Sequence, residues 1–360
     1  MLPSTTPEPE PEATEDNASE WHLFRGSRTP HDRLADLPDP PPWRPFRTRD
    51  VAQERAIPDD AALPPAMRER GSTYRATTGV RDMVNAALLL RRPLLVTGPA
   101  GSGKSSLIDA VAYELRMGEP LRWDITSRST LRDGLYLYDA VGRLQGTPAG
   151  KAAATARAVT DIARFIRLGP LGTALLPSKR PRALLIDEID KADIDLPNDL
   201  LNVLEEGRFG IPELARADTG EQPVHVRTAD DQSRETYPLV GGEVRMREFP
   251  LVILTSNGER SFSPAFLRRC LQLTMPDPTL DPKALAEIVQ LHLNEWMKGD
   301  AAVLQDAKDR IDAFVVRTKG KKESLATDQL LNAVFLVSGR AGVPDGQRDA
   351  LARLVTQALT

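Results

Sequence analysis

The sequence predicts an α/β fold, a three-layer structure with a parallel sheet between helices, closed by a C-terminal helical lid bundle. Three observations carry this expectation. Short apolar runs from Leu94 to Thr97, Leu121 to Ile125, Ala183 to Ile186 and Leu251 to Thr255 alternate with helical patterns between Tyr74 and Pro276, which points to a parallel α/β sheet. The first run leads straight into a glycine-rich turn and a helix start, and after Asp281 the pattern becomes wholly helical. Each run also ends in polar residues, at the strand end where ligands bind in open α/β sheets.

Residues 1–71 read as a disordered, proline-rich N-terminal tail. Thirteen of the thirty prolines fall in the first 66 residues, and residues 1–20 carry six acidic side chains and no basic one. Too little apolar surface is left there to offset the entropy of ordering. From Trp21 onward, Leu23, Phe24, Leu34, Leu37, Trp43 and Phe46 punctuate the proline-rich path. Two readings stand open. Such a segment wraps extended over a partner surface, or its aromatics pack on the chain's own globular body.

The α/β body is expected over residues 72–280. After the first strand, Gly98-Pro99-Ala100-Gly101-Ser102-Gly103-Lys104-Ser105-Ser106 has the form G-x-x-x-x-G-K-S. This is a phosphate-binding loop of the P-loop NTPase kind: glycines let backbone N–H groups point at phosphate oxygens, and the following helix N-terminus adds partial positive charge. In that setting Lys104 reaches the β- and γ-phosphates and the Ser105 hydroxyl ligates Mg2+. Leu107, Ile108, Val111, Ala112 and Leu115 give the next helix its apolar stripe. The stretch Thr126 to Tyr136 offers either a pore lining, with Leu135 and Tyr136 or Tyr138 gripping a substrate chain, or a buried hairpin with satisfied hydroxyls. The hairpin is the favoured of the two.

Ala183-Leu184-Leu185-Ile186-Asp187-Glu188 is a buried run ending in two carboxylates. In a P-loop site Asp187 holds the magnesium, and Glu188, one residue further, orients and deprotonates the attacking water. Residues 207–249 read as a β-rich insertion with a hairpin turning at Gly241-Gly242. The run ending Thr255-Ser256-Asn257 places Asn257 to hold the water between Glu188 and the γ-phosphate, although Asn after a strand is also ordinary turn chemistry. Phe266-Leu267-Arg268-Arg269-Cys270 is a helix end with paired arginines. An arginine there does not easily reach its own nucleotide but can project across a subunit boundary to a neighbour's γ-phosphate. From residue 281 to 360, four short amphipathic helices form the lid.

Composition sets bounds. The chain has 360 residues, 41% of them hydrophobic and 27% charged, with a net charge of -4. That is a soluble globular composition without a global electrostatic case for nucleic acid. It shows no apolar run of membrane-spanning length and no secretory-type start, and its one cysteine is Cys270, so a reducing cytoplasmic setting is expected. The four histidines show no metal-ligand spacing.

The ordered set of phosphate loop, Asp-Glu strand end, polar strand end with Asn257, double arginine and helical bundle resembles the AAA+ ATPases, and most of all their MoxR-like branch. The resemblance spans about Tyr74 to Thr360, and Gly169-Pro170-Leu171-Gly172-Thr173-Ala174-Leu175-Leu176 is similar to the family's segment before the Asp-Glu strand. It implies ATP and Mg2+ as ligands, Lys104 and Ser105 as Walker A, Asp187 and Glu188 as Walker B, Asn257 as sensor 1 and Arg269 as arginine finger. It further implies a homo-oligomeric ring, expected to be a hexamer, acting chaperone-like on a protein partner of the von Willebrand factor A (vWA) domain type. The family usually has an arginine at the start of the third lid helix, whereas here Leu325-Ala326-Thr327-Asp328-Gln329 has none. Either Lys321 or Lys322 substitutes, or the lid couples more weakly to nucleotide. Two rivals remain: a slowly hydrolysing nucleotide-gated scaffold, and a nucleic-acid motor.

Overall fold

The computed structural model describes residues 20–44, 63–146, 162–216, 222–230 and 236–276, with short pieces between 332 and 351. Residues 1–19 and most of the expected lid lie outside the described residues. The helices are α1 (Pro65–Thr73), α2 (Thr78–Leu90), α3 (Lys104–Glu114), α4 (Leu131–Leu135), α5 (Ala140–Gly146), α6 (Pro170–Ala174), α7 (Leu196–Glu206), α8 (Pro212–Ala215) and α9 (Pro264–Arg269). The strands are β1 (Leu94–Thr97), β2 (Leu121–Asp124), β3 (Tyr136–Tyr138), β4 (Ile166–Leu168), β5 (Ala183–Asp187), β6 (Arg208–Gly210), β7 (Val224–Arg227), β8 (Thr236–Leu239), β9 (Glu243–Arg245), β10 (Leu251–Ser256) and β11 (Leu271–Thr274).

The main sheet has five parallel strands in the order β11-β1-β10-β5-β2. Alternation along each strand sends side chains to two separate cores. Leu94, Val96, Ala183, Leu185, Leu251 and Ile253 face one core, where Val84 and Leu88 of α2 and Leu107, Ile108 and Val111 of α3 pack. Leu95, Leu184, Ile186, Val252 and Leu254 face the other, filled by Leu171 of α6 and by Leu200, Leu201 and Leu204 of α7. Burial on both faces makes these strands read as continuous apolar runs. The fold is the expected three-layer parallel-sheet P-loop fold. The edge strand β11 was not expected, because its partly exposed Leu-Gln-Leu-Thr pattern is too short and too polar to stand out.

Helix ends follow local chemistry. Thr77 caps α2 by accepting from the Val80 N–H at 3.4 Å. Ser263 caps α9 by accepting from the Phe266 N–H at 3.1 Å, with Pro264 in the first turn. Such hydroxyls satisfy amides that the helix cannot.

The β-rich region is larger than expected. A second sheet runs β3-β4-β7-β8, and a third pairs β6 with β9. Gly241 and Gly242, both with positive φ, turn the chain from β8 to β9, which lie in different sheets; the expected hairpin at this point is therefore a crossover between sheets. Within the Thr126 to Tyr136 stretch, Leu131–Leu135 forms α4 rather than a hairpin, and Tyr136 begins β3. Leu135 and Tyr136 are buried in the second core, the Tyr136 hydroxyl donates to Glu213 at 2.8 Å and the Tyr138 hydroxyl accepts from Arg143 at 2.9 Å, so none of the three is free to grip a chain.

Residues 20–44, which the sequence placed in the tail, pack on the body beside α2 and α3. Leu23, Phe24, Leu34 and Leu37 enter the first core. The fully buried Asn85 of α2 accepts from Leu23 N (2.7 Å) and Phe24 N (3.0 Å), and donates to Phe24 O (2.7 Å). Buried Glu114, at the end of α3, accepts from Arg25 N (2.6 Å), Arg28 N (3.2 Å) and His31 Nε2 (3.2 Å). Buried Arg91 donates to Pro38 O at 2.6 Å and pairs with Glu248 at 2.8 Å. A proline-rich strap lacks its own backbone ladder, and these side chains supply the partners instead.

Candidate functional site

β1 ends at Thr97, and the chain turns through Gly98 (φ 148), Gly101 (φ 74) and Gly103 (φ 82) into α3. Only glycine takes such angles without steric cost. At Gly98 a Cβ would also come within 3.1 Å of the Met275 Cβ. Lys104, the first residue of α3, is 7% exposed, and its Nζ donates to Gly98 O (2.9 Å) and Pro99 O (2.8 Å). The ammonium thus lies within its own loop. Burial lowers its pKa, against the opposing pull of Asp187, Asp190 and Glu188.

One residue on, the Ser105 hydroxyl donates to Asp187, 2.9 Å from Oδ1 and 3.1 Å from Oδ2. Asp187 closes β5, in the sheet between β10 and β2. Thr255 of β10 ties the two strand ends together: its hydroxyl donates to Asp187 Oδ1 and accepts from Glu188 N at 2.9 Å. Glu188 has φ 57 and ψ 47, the left-handed region that non-glycine residues rarely enter. Its carboxylate accepts from Asn257 Nδ2 at 3.3 Å and from Lys191 Nζ at 2.6 Å. Asp190 Oδ2 accepts from the N–H groups of Asn257 and Glu259, both at 3.0 Å.

The structure therefore brings together Lys104, Ser105, Asp187, Glu188 and Asn257, all expected from the sequence. It adds Thr255, Asp190 and Lys191. The Thr255 hydroxyl was hidden because a threonine in an apolar run reads as a β former. The charged cluster Asp187-Glu188-Ile189-Asp190-Lys191 was the available signal for the other two. A Ser105 hydroxyl beside the Asp187 carboxylate is the hard-oxygen pair that Mg2+ takes. Ser102 Oγ is buried with no partner in a loop that is otherwise a cradle of backbone amides. These residues fit a magnesium-bound nucleotide phosphate.

Arg269 stands apart. Its guanidinium meets Asn202 Oδ1 at 3.1 Å and Glu205 Oε1 at 3.4 Å, both on α7, and its carbonyl accepts from Arg92 Nε at 3.2 Å. It lies two residues before Leu271, the first residue of β11, which is in register with Leu94 at the start of β1, whereas the phosphate loop leaves from Thr97 at the other end. Strand length alone, at about 3.3 Å per residue, keeps it from its own loop. Beside it, Cys270 is buried, and that burial pushes its thiol up to about 12. Among the described residues no group of three or more His, Cys, Asp or Glu is placed to hold a metal.

Residues 93–270 match the family model of the AAA domain, dynein-related subfamily. These residues form an AAA+ ATPase domain. The chain is 27% identical over 232 residues to the ATP-dependent protease ATP-binding subunit-like protein AmiB of Pseudomonas aeruginosa, covering 56% of this chain and 55% of that protein. It thus spans about half the length of the curated relative it matches. Among solved structures, a closed-state reconstruction of Hsp104 with ATPγS and FITC-casein aligns at TM-score 0.36 and 19% identity, covering 71% of this chain and 42% of that one. The ADP complex of Hsp104 from S. cerevisiae aligns at TM-score 0.37 and 19% identity, over 78% of this chain and 45% of that one. NtrX from Brucella abortus with ADP aligns at TM-score 0.34 and 15% identity, over 76% and 52%. Among the described residues, no helix is long and apolar enough to cross a membrane.

Proposed function

We propose that this AAA+ protein hydrolyses ATP at the subunit interfaces of a homo-oligomeric ring, a hexamer, and uses the cycle to remodel or activate a protein partner. The convergence of Lys104, Ser105, Asp187, Glu188 and Asn257 at the C-terminal ends of β1, β5 and β10 carries this reading. Lys104 exchanges the Gly98 and Pro99 carbonyls for β- and γ-phosphate oxygens. Ser105 and Asp187 would hold Mg2+, which would supply positive charge to the phosphates. Glu188 accepts the proton of the attacking water, and Asn257 orients that water and the carboxylate. Arg269 of a neighbouring copy meets the charge that develops on the γ-phosphate.

The finer reading is a MoxR-like ATPase working in the cytoplasm on a vWA-domain protein. The name of the Pseudomonas relative supports a protein client over nucleic acid, as does the net charge of -4. The Glu188–Lys191 contact at 2.6 Å favours one alternative, a slowly hydrolysing nucleotide-gated scaffold, because one oxygen of the carboxylate is then held by an ammonium in place of a water. Hydrolysis stimulated by a partner protein supports the remodeller, and tight ADP retention supports the scaffold.

Subunit mixing tests the interface. Arg269→Ala is expected to bind ATP normally and to lose turnover by about a thousandfold, the scale of other arginine fingers. Mixed with Lys104→Ala, it should recover part of the activity, since some interfaces then combine an intact loop with an intact finger. Phosphate release that stays at background in mixtures shown to co-assemble would mean that Arg269 acts in cis or only supports the fold.

A further inference from the structure

We propose that Asp190 is a positioning residue for hydrolysis: it fixes the main chain after β10 so that the Asn257 amide is held on the Glu188 carboxylate. The inference rests on the reading of Glu188 as base and Asn257 as its partner.

Asp190 lies in the short turn Ile189–Lys191 that follows Glu188 and is only 3% exposed. A buried ionised carboxylate is costly unless it is hydrogen-bonded. Here both bonds fall on one oxygen. Oδ2 accepts from Asn257 N and Glu259 N, each at 3.0 Å, while Oδ1 is buried without a partner. The acid's hydrogen bonds are thus spent on placing one piece of main chain rather than on satisfying the acid itself.

Local geometry explains how two amides converge on a single atom. Gly258 between them has φ 80, and its own N–H turns away to Ser256 Oγ at 3.0 Å. The Asn257 and Glu259 N–H groups therefore line a small concavity, the kind of backbone arrangement that receives an anion. In most such nests the anion is a ligand. Here it is the chain's own aspartate, three residues after Asp187 and two after Glu188.

The consequence is a closed loop of contacts. Asp190 sets the position of the Asn257 nitrogen, the Asn257 side chain reaches Glu188 Oε1 at 3.3 Å, and Glu188 N is held in turn by Thr255 at 2.9 Å. Glu188 and Asn257 lie on different strand ends, and Asp190 joins the two from the β5 side. Releasing the β10 end lets the amide drift, which affects orientation in the chemical step more than ground-state binding of nucleotide.

Four variants of the full chain test this: Asp190→Asn, Asp190→Ser, Asn257→Ala and the Asp190→Ser/Asn257→Ala pair. Asparagine keeps an oxygen where Oδ2 sits, while serine stops short of both amides. Asp190→Ser should lower kcat about tenfold or more with KM for ATP within about twofold, and Asp190→Asn should stay within about threefold of the parent. The pair should be no more than about twofold slower than Asn257→Ala alone, since both changes break one contact chain. Multiplicative losses in the pair, a KM effect without a kcat effect, or a serine variant that is unfolded at the assay temperature would each overturn the proposal. An inactive Glu188→Gln beside an unaffected Asp190→Ser would reject this inference alone, whereas a Glu188→Gln at the parent rate would reject the reading of the site beneath it.

Discussion

Glu188→Gln is expected to bind ATP as tightly as the parent chain and to release phosphate roughly 10²–10⁴-fold more slowly, the scale of a lost general base. Glutamine preserves the shape of the side chain and keeps an oxygen for the Asn257 amide at its present 3.3 Å. What it loses is the capacity to take a proton from water. Lys104→Ala should fail earlier, at binding. Lys104 supplies the only side-chain cation between Gly98 and Ser106, and the two loop carbonyls it now holds are the partners that phosphate oxygens are expected to replace. Titration with a fluorescent ATP analogue, alongside phosphate release, separates the two defects. Equal ATP affinity in Lys104→Ala and the parent would overturn the assignment of the loop, and unimpaired phosphate release by Glu188→Gln would overturn the assignment of the base.

The parts of this molecule legible in the sequence are those whose physics is local or doubly enforced. The central strands were readable because burial on both faces demands unbroken apolar runs, and the phosphate loop because closely spaced positive-φ positions demand glycine. The Asp187-Glu188 pair stood out as charge directly after such a run. The remaining features depend on contacts distant in sequence. Thr255 serves Asp187 and Glu188 across 67 or 68 positions, and nothing in its own neighbourhood distinguishes it from a strand threonine. β4 joins β7 through a single registered pair, Arg167 with Arg227, too little to impose a pattern on either. The strap around Phe24 has no helical or strand period, because its partners are the side chains of Asn85, Arg91 and Glu114 rather than a backbone ladder.

That strap supplies the other large expected effect: removing residues 1–44 should lower the melting temperature and ATP hydrolysis together, whereas removing residues 1–19 should change neither. Leu23, Phe24, Leu34 and Leu37 are buried in the same core as Val84, Leu107 and Leu94, and each such side chain contributes about 1.5–3 kcal/mol to a domain whose whole stability is typically about 5–15 kcal/mol. Ordering the strap costs backbone entropy, about 1–2 kcal/mol per residue, so the net loss is smaller than the gross burial. Truncation nevertheless bares an apolar face of α2 and α3 that the strap now covers. Because α3 begins at Lys104, loosening its packing reaches the phosphate loop. Phe24→Ala is the milder form of the same experiment, with about 3–5 kcal/mol expected from the cavity. A truncated chain that melts and hydrolyses like the parent but no longer captures a partner would instead favour the strap as a docking arm. The structure divides the aromatics between these roles: Phe24 is buried, while Trp21 and Trp43 remain 49% and 76% exposed. Among the described residues of the strap, any partner contact made through an exposed aromatic therefore falls to the two tryptophans, and Trp43→Ala should leave the melting temperature unchanged whichever way the capture assay turns out.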